Sequence, residues 1–245
     1  SVCNVVGSML SRESHGTLYI RSGPEIGVAS TKAFTCQLMV LLLVALYLAQ
    51  QRNRILPQQT IALLPDLAGL PQCLERLLAR SEACREIAGA ICGRTNALYL
   101  GRGIHYPIAL EGALKLKEIS YMHAEGYPAG EMKHGPNALI DHNLPVVGLA
   151  ARDPRNPKSV LRYEKMLSNL EEVRAREGII IALASEDDDR IREIAEHVIP
   201  IPQSSDYLLP LLMSVPLQLL AYHIAVLRGC DVDQPRNLAK SVTVE

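Results

Sequence analysis

Titratable side chains concentrate in one stretch of the sequence, residues 100–136. This stretch begins as an apolar strand, turns at a Gly-Arg-Gly triplet, continues as a helix and ends in a polar loop. Its charged and titratable residues include Glu111, Lys115, Lys117, Glu118, His123, Glu125, Glu131, Lys133 and His134. Because ligands of α/β proteins bind where strands end and helices begin, the stretch predicts a functional site.

Lys115 and Glu118 are the best candidates for proton-transfer chemistry. They lie three residues apart on the predicted helix, on neighbouring faces. Most Lys/Glu pairs at this spacing are surface ion pairs, and that alternative stays open. The helix is otherwise rich in Leu, Ala and Ile, which favours a partly buried cleft. A carboxylate beside a lysine in such a cleft can act as a base.

His134, just before Gly135 and Pro136, is a candidate acid or base that titrates near neutral pH. The alternative is a loop histidine that hydrogen-bonds to the backbone. His123 is a weaker candidate of the same kind. His123, Glu125, Glu131 and His134 together suggest a metal, but their spacing matches no familiar zinc pattern, so no metal site is expected.

Two further segments carry groups that admit two interpretations each. Ser30 or Thr31 stands at the start of a helix, where a hydroxyl caps the free N–H groups or an anion binds them. Lys240 lies in a tail without helical or strand period, where a lysine is either solvated or desolvated and able to form a Schiff base. The sequence contains no G-x-G-x-x-G, Walker A or G-x-S-x-G pattern, which disfavours dinucleotide, ATP and nucleophile-elbow chemistry.

Composition narrows the class of protein. The 245 residues are 48% hydrophobic with one Phe and no Trp, which predicts an aliphatic, helix-rich core. A net charge of −1 favours neither nucleic acid nor an anionic membrane as partner. Six scattered cysteines without a CxxC pair indicate reduced thiols of a cytoplasmic protein, and no signal peptide is recognisable. Because the sequence begins with Ser1, we expect a downstream piece of a longer protein.

Apolar runs and turn residues predict the order of strands and helices. Strands are expected at 1–6, 17–20, 97–100, 144–150, 178–184 and 197–201. Helices are expected at 31–50, 67–92, 163–176, 188–196 and 207–228, and in the stretch holding Glu111 to Glu118, with 51–66 as a connector. The apolar run 38–49 is too short for a membrane span and is interpreted as part of a core or interface helix.

The alternation of strands and helices predicts an α/β fold with a doubly wound parallel sheet. One complete unit is expected over 94–229. The first ninety residues hold only the last portion of a similar unit.

Three segments together resemble one family: GPEIGVASTKAFT, GRGIHYPIALEGALKLKEISYMHAEGYPAGEMKHGP and DVDQPRNLAKSVTVE. In one register over essentially the whole chain, they are similar to the isomerase half of the glutamine–fructose-6-phosphate aminotransferases (glucosamine-6-phosphate synthases). That half consists of two SIS domains of flavodoxin-like, three-layer α/β/α architecture. The resemblance implies the end of the first SIS domain at 1–70, a connecting helical segment at 71–93, the second SIS domain at 94–229 and an active-site tail at 230–245.

The resemblance also implies roles for individual residues. Glu118 would move a proton between C1 and C2 of the sugar, with Lys115 as its neighbour in that step. His134 would open the sugar ring from the partner subunit of a homodimer, and Lys240 would form the Schiff base. The positions implied to line the sugar are Val28, Ser30 and Ala239.

The implied reaction makes glucosamine 6-phosphate from fructose 6-phosphate and ammonia, without metal or other cofactor, as the first step of UDP-N-acetylglucosamine synthesis. The family's phosphate-gripping loop and glutaminase domain would lie upstream of this sequence. We therefore expect little glutamine-dependent activity from these 245 residues alone. The tail is expected to fold back through Leu238 and Val242, with the Lys240 ammonium near cations such as Lys115.

Two other functions remain open. One is an SIS module that binds a phosphosugar without catalysis, and the other is an SIS deglycase or isomerase acting on another sugar phosphate. The lysine-bearing terminus favours an enzyme over a sensor, since a sensor has no need of a tail lysine.

Overall fold

The computed structural model describes residues 1–240. The strands in this range are β1 (Val2–Cys3), β2 (Leu18–Tyr19), β3 (Asn96–Gly101), β4 (His123–Pro128), β5 (Pro145–Leu149), β6 (Ile179–Ser185) and β7 (His197–Ile201). The helices are α1 (Met9–Glu13), α2 (Lys32–Gln51), α3 (Pro57–Ile61), α4 (Leu64–Leu78), α5 (Ser81–Ile91), α6 (Tyr106–Ser120), α7 (Pro157–Arg174), α8 (Asp189–Arg192) and α9 (Leu209–Leu227).

The main sheet has five parallel strands in the order β4-β3-β5-β6-β7. The chain enters at β3, adds β4 on one side and then continues through β5, β6 and β7 on the other. The direction of winding therefore reverses between β3 and β5, which confirms the predicted doubly wound sheet. The other two strands of the described range, β1 and β2, form a separate parallel pair near the N-terminus.

Both faces of the five-stranded sheet are covered, and alternate residues of each strand serve opposite faces. In β3, Ala97 and Tyr99 pack with α4, α5, α6 and α9, whereas Leu98 and Leu100 pack with α7 and α8. This three-layer arrangement explains why the central strands are continuously apolar rather than alternating. α9 lies in the larger of the two cores, against both α5 and α6.

The polar loop predicted to hold His123 and Glu125 is instead β4 at these two residues, the second strand of the sheet in chain order. β4 is an edge strand that pairs with β3 from Asn96 opposite His123 to Gly101 opposite Pro128. Its Gly and Pro are poor strand formers, so pairing with β3 decides its conformation. A Cβ on Gly126 would lie 2.8 Å from the Leu110 backbone, so glycine lets α6 pack closely on β4.

The other boundaries differ in smaller ways. The expected connector at 51–66 contains α3 and the start of α4. The single helical segment expected at 67–92 is two helices, α4 and α5, which are separated at Arg80. The strand predicted at 197–201 has the bounds of β7.

α2, which the sequence predicts to be a core or interface helix, is mostly exposed. Leu46 is its one buried residue, and its exposed apolar side chains include Leu41 (52%), Leu43 (47%), Tyr47 (61%) and Leu48 (47%). By length and hydropathy both α2 and α9 would suit a membrane span, although α9 is two-thirds buried within the protein. One side of α2 packs against the larger core through Phe34, Leu38, Met39 and Leu42, and an interface role for the exposed side stays a prediction.

Candidate functional site

A cavity of about 370 Å³ lies where the loop before α2 meets α6, α9 and the C-terminal tail. We call it the site cavity. Glu25 and Gly27 line it from the loop, and Lys115 and Ile119 from α6. Val232 and Asp233 line it from the C-terminal tail. Segments from both ends of the chain thus enclose a lysine of the helix that the sequence singled out.

Lys115 is buried between two carboxylates of its own helix. Its Nζ lies 2.6 Å from Glu118 Oε2 and 3.4 Å from Glu111 Oε1. The Lys115 side chain is only 5% exposed, which excludes the surface ion pair that remained open from the sequence. α6 is held tightly against the core, because a Cβ on Gly112 would lie within 3 Å of both Leu217 and Tyr99.

Glu111 is a functional candidate to which the sequence gave no role. Burial raises its pKa, an effect that Lys115 opposes and the charge of Glu118 reinforces. A carboxylate with a raised pKa beside an ammonium is suited to proton transfer. The signal available in the sequence was the spacing itself, because residues 111, 115 and 118 form one stripe of a helix.

Glu118 opens into a different space from Lys115. It lines a groove of about 270 Å³ between α6 and the tail, which we call the α6 groove. Tyr121 and Arg236 lie in the walls of the same groove. The hydrogen bond between Lys115 and Glu118 therefore connects the site cavity to the α6 groove.

A carboxylate, and not a hydroxyl, caps the N-terminus of α2, next to the site cavity. The Oε1 of Glu25 accepts hydrogen bonds from the backbone N–H of Thr31 at 2.9 Å and of Ala33 at 3.2 Å. The expected hydroxyl cap by Ser30 or Thr31 is wrong, because neither side chain caps the helix. A charged acceptor satisfies these free N–H groups more strongly than a hydroxyl does. The anion predicted for this helix start is supplied by the chain itself.

Lys240 contacts the loop wall of the site cavity from the tail. Its Nζ donates to Glu25 Oε2 at 2.9 Å and to the Gly27 carbonyl oxygen at 2.8 Å. The tail does fold back as expected, but the groups around the ammonium are these two oxygens and not a cation such as Lys115. Partial burial raises the pKa of Glu25. The hydrogen bonds from Lys240 and from the helix N–H groups lower it by more, so the pKa of Glu25 is about 2.

The three positions implied to line the sugar lie around this contact. Val28 donates its N–H to the Asp233 carbonyl oxygen at 2.9 Å, which ties the loop to the tail. Ser30 is half-buried in the same loop. Ala239 is exposed in the tail, next to Lys240 in sequence.

The apolar residues expected to anchor the tail are Leu238 and Val242. Leu238 lies in the wall of the α6 groove and is 45% exposed, and its anchoring role stays a prediction. Val242 lies outside the described residues.

His134 lies apart from both spaces. Its side chain is 74% exposed, and its Nε2 is 3.8 Å from Glu131 Oε2. His123 pairs separately with Glu125 at 3.5 Å. Within residues 1–240, no three His, Cys, Asp or Glu side chains are placed to share a metal ion.

Known proteins are similar to this chain over most or all of its length. The SIS domain family matches residues 1–47 and 91–228. A curated glutamine–fructose-6-phosphate aminotransferase of Chlorobaculum tepidum is 56% identical over 245 residues, which cover all of this chain and 38% of that protein. The corresponding protein of Bacteroides thetaiotaomicron is 51% identical over 244 residues and 39% of its length. The chain thus spans about two fifths of the curated relatives it matches.

A solved protein structure is also similar to this chain. The C-terminal domain of glucosamine-fructose-6-phosphate aminotransferase from Francisella tularensis superposes with a TM-score of 0.86 at 41% identity. The match covers 96% of this chain and 64% of the solved one.

Proposed function

The chain belongs to the SIS domain family, and from that membership we propose that it is the isomerase part of a glutamine–fructose-6-phosphate aminotransferase. The proposed reaction joins fructose 6-phosphate and ammonia to give glucosamine 6-phosphate and water. The observation that carries the proposal is the site cavity, which Lys115 lines and whose loop wall Lys240 contacts from the other end of the fold. Identity of 56% with an aminotransferase over the whole chain supports it.

In the proposed mechanism Lys240 attacks the ketose carbonyl carbon C2 of the open-chain sugar, with loss of water, to form a Schiff base. Ammonia then replaces the lysine nitrogen on C2. Glu118 takes the proton from C1 and returns a proton to C2, while Lys115 stabilises the negative charge that develops on oxygen. Val28, Ser30 and Ala239 contact the sugar.

We propose further that the natural protein continues upstream of this sequence. Residues 1–70 would be the C-terminal part of a first SIS domain, 71–93 a connecting segment, 94–229 the second SIS domain and 230–245 the active-site tail. A glutaminase domain upstream would supply the ammonia. The 38% share of its relative's length that the chain spans supports this arrangement.

The proposed assembly is a cytoplasmic homodimer in which His134 acts on the sugar bound by the partner subunit, as the acid or base that opens the ring. Its exposed position, away from the site cavity of its own chain, supports a role across an interface. The six free cysteines support a reducing compartment. The product would enter UDP-N-acetylglucosamine synthesis.

Covalent trapping tests the central step. Borohydride reduction of the full-length protein with fructose 6-phosphate is expected to leave the sugar on Lys240. Lys240→Arg is expected to abolish trapping, because a guanidinium stays protonated. An adduct on another lysine, or full turnover by Lys240→Arg, would contradict the mechanism. Sugar-phosphate binding without trapping or turnover would favour a phosphosugar-binding module, and turnover of a different sugar phosphate would favour another isomerase or deglycase.

A further inference from the structure

The C-terminal tail depends on a few side-chain contacts for its position. After α9 the segment 229–240 forms neither helix nor strand. Asp231 Oδ1 accepts hydrogen bonds from the N–H groups of Asp233 and Gln234, which makes a local turn. Val28 holds the backbone at Asp233. Beyond this point Pro235 is buried, and the next hydrogen bond to another segment is made by the Arg236 backbone.

Arg236 makes that contact with Tyr121. Its backbone N–H donates to Tyr121 Oη at 2.9 Å, and its guanidinium lies over the Tyr121 ring at 4.2 Å from the centroid. The two interactions use different parts of both residues, so together they fix the position and the direction of the tail. A guanidinium over an aromatic face is attracted by the negative face of the ring.

Tyr121 occupies a backbone position that glycine normally takes. It is the C-cap of α6 with φ 60°, in the left-handed region that disfavours side chains. Glu177 has φ 63° just after α7, and it is exposed. Tyr121 differs from Glu177 in that its side chain has a specific partner in the tail.

We propose that Tyr121 is a positioning residue for Lys240. It lies three residues after Glu118, and Arg236 lies four residues before Lys240. One contact therefore couples the end of the helix that carries Lys115 and Glu118 to the segment that delivers the lysine. The inference rests on the proposed function, because it matters for turnover only if Lys240 reacts with substrate.

Without this contact, the last hydrogen bond that ties the tail to another segment before Lys240 would be the one at Asp233, with six residues, 234–239, in between. With the contact, three residues, 237–239, separate the last such hydrogen bond from Lys240. A shorter tether raises the effective concentration of Lys240 at Glu25 and the bound sugar. Loss of the ring stacking and the hydrogen bond together is expected to reduce the docked population about tenfold.

A graded series in the full-length protein tests the inference. Tyr121→Phe keeps the ring and removes the hydroxyl acceptor, Tyr121→Leu removes both, and Glu177→Gly is the matched control at a left-handed position. We expect Tyr121→Leu to lower kcat and borohydride trapping on Lys240 about tenfold, and Tyr121→Phe to lower them less. KM for fructose 6-phosphate should stay within about twofold, because most of the sugar site is unchanged. Glu177→Gly should match the parent.

Two further measurements keep the test decisive. Trypsin cleavage between Arg236 and Asn237 should accelerate in Tyr121→Leu relative to the parent and Glu177→Gly. In a double-mutant cycle measured on kcat, Arg236→Gln should cause little further loss in the Tyr121→Leu background if the two residues act through one contact. Parental kcat and trypsin resistance in Tyr121→Leu, or additive losses in the cycle, would overturn the inference. If the parent forms no adduct on Lys240, the proposed function fails, and the trypsin series still decides whether Tyr121 holds the tail.

Discussion

Lys240 Nζ lies 2.9 Å from Glu25 Oε2, although the two residues are 215 positions apart. The contact brings the C-terminal tail onto the carboxylate that also caps α2. Glu25 is a poor proton acceptor at neutral pH because its pKa is lowered to about 2. The amine required for Schiff-base formation must therefore lose its proton to a group other than Glu25.

Glu25→Gln is expected to weaken tail docking and α2 capping together, at a cost of about 1.5–3 kcal/mol for hydrogen bonds to a charged group. The folded-state pKa of Glu25 is lowered from 4.5 to about 2. Its stabilisation is therefore complete above about pH 4.5 and is lost as the pH falls toward 2. Urea unfolding of the parent and variant across this range should show the difference in free energy shrinking in acid. Glu131→Gln, at an exposed site, serves as control; a pH-independent difference would contradict the assignment.

Replacing His105 with Gln is expected to flatten the acid sensitivity of folding. Burial, reinforced by the charge of Arg162, lowers the pKa of His105 to about 3 against the opposing effects of Asp206 and the Leu149 backbone. Between pH 6.5 and about pH 3, His105 is protonated in the unfolded chain but not in the folded chain. Stability should therefore fall below about pH 6.5, by up to about 1.4 kcal/mol per pH unit.

Chemical denaturation between about pH 4 and pH 8 measures this slope. His123→Gln is the matched control, because His123 is 65% exposed. If His105→Gln keeps the parental slope, the titration of His105 does not govern acid sensitivity.

Glu118→Gln is expected to lower isomerisation about 100-fold or more, because the amide keeps the shape of the side chain and removes its basicity. Sugar-phosphate binding should change little. Exchange of solvent deuterium at the C1–C2 edge of the substrate reports the proton transfer directly. Exchange that survives in Glu118→Gln would identify another base, with Glu111 the first to examine. Glu125→Gln on β4 is the control.

The exposed apolar face of α2 is expected to drive self-association. Leu41 and Leu48 are seven residues apart, on one face of the helix, and are 52% and 47% exposed. Sedimentation velocity at micromolar concentration should show a dimer or larger species, and Leu41→Lys with Leu48→Lys should shift it toward monomer. Leu139→Lys alters an exposed leucine elsewhere and should have no effect. A monomeric parent would contradict this prediction.

The sequence by itself determined most of the architecture. β5 and β6 are apolar runs because both faces of a parallel sheet are buried, and that pattern is visible without coordinates. The spacing of Lys115 and Glu118 likewise fixed their contact, since helix geometry alone brings residues three apart together. The sequence also indicated His134 as an acid or base, whereas its ring-opening role and the Schiff-base role of Lys240 came from the family resemblance; all of these stay predictions.

Only the tertiary structure decided the contacts between distant segments. β4 has no strand pattern of its own and is extended because β3 supplies its hydrogen bonds. Glu25 with Lys240, and Tyr121 with Arg236, are pairs of residues more than a hundred positions apart. Local periodicity carries information over a few turns of chain, whereas such pairs form only after the sheet and its covering helices have brought both ends of the chain to one cavity.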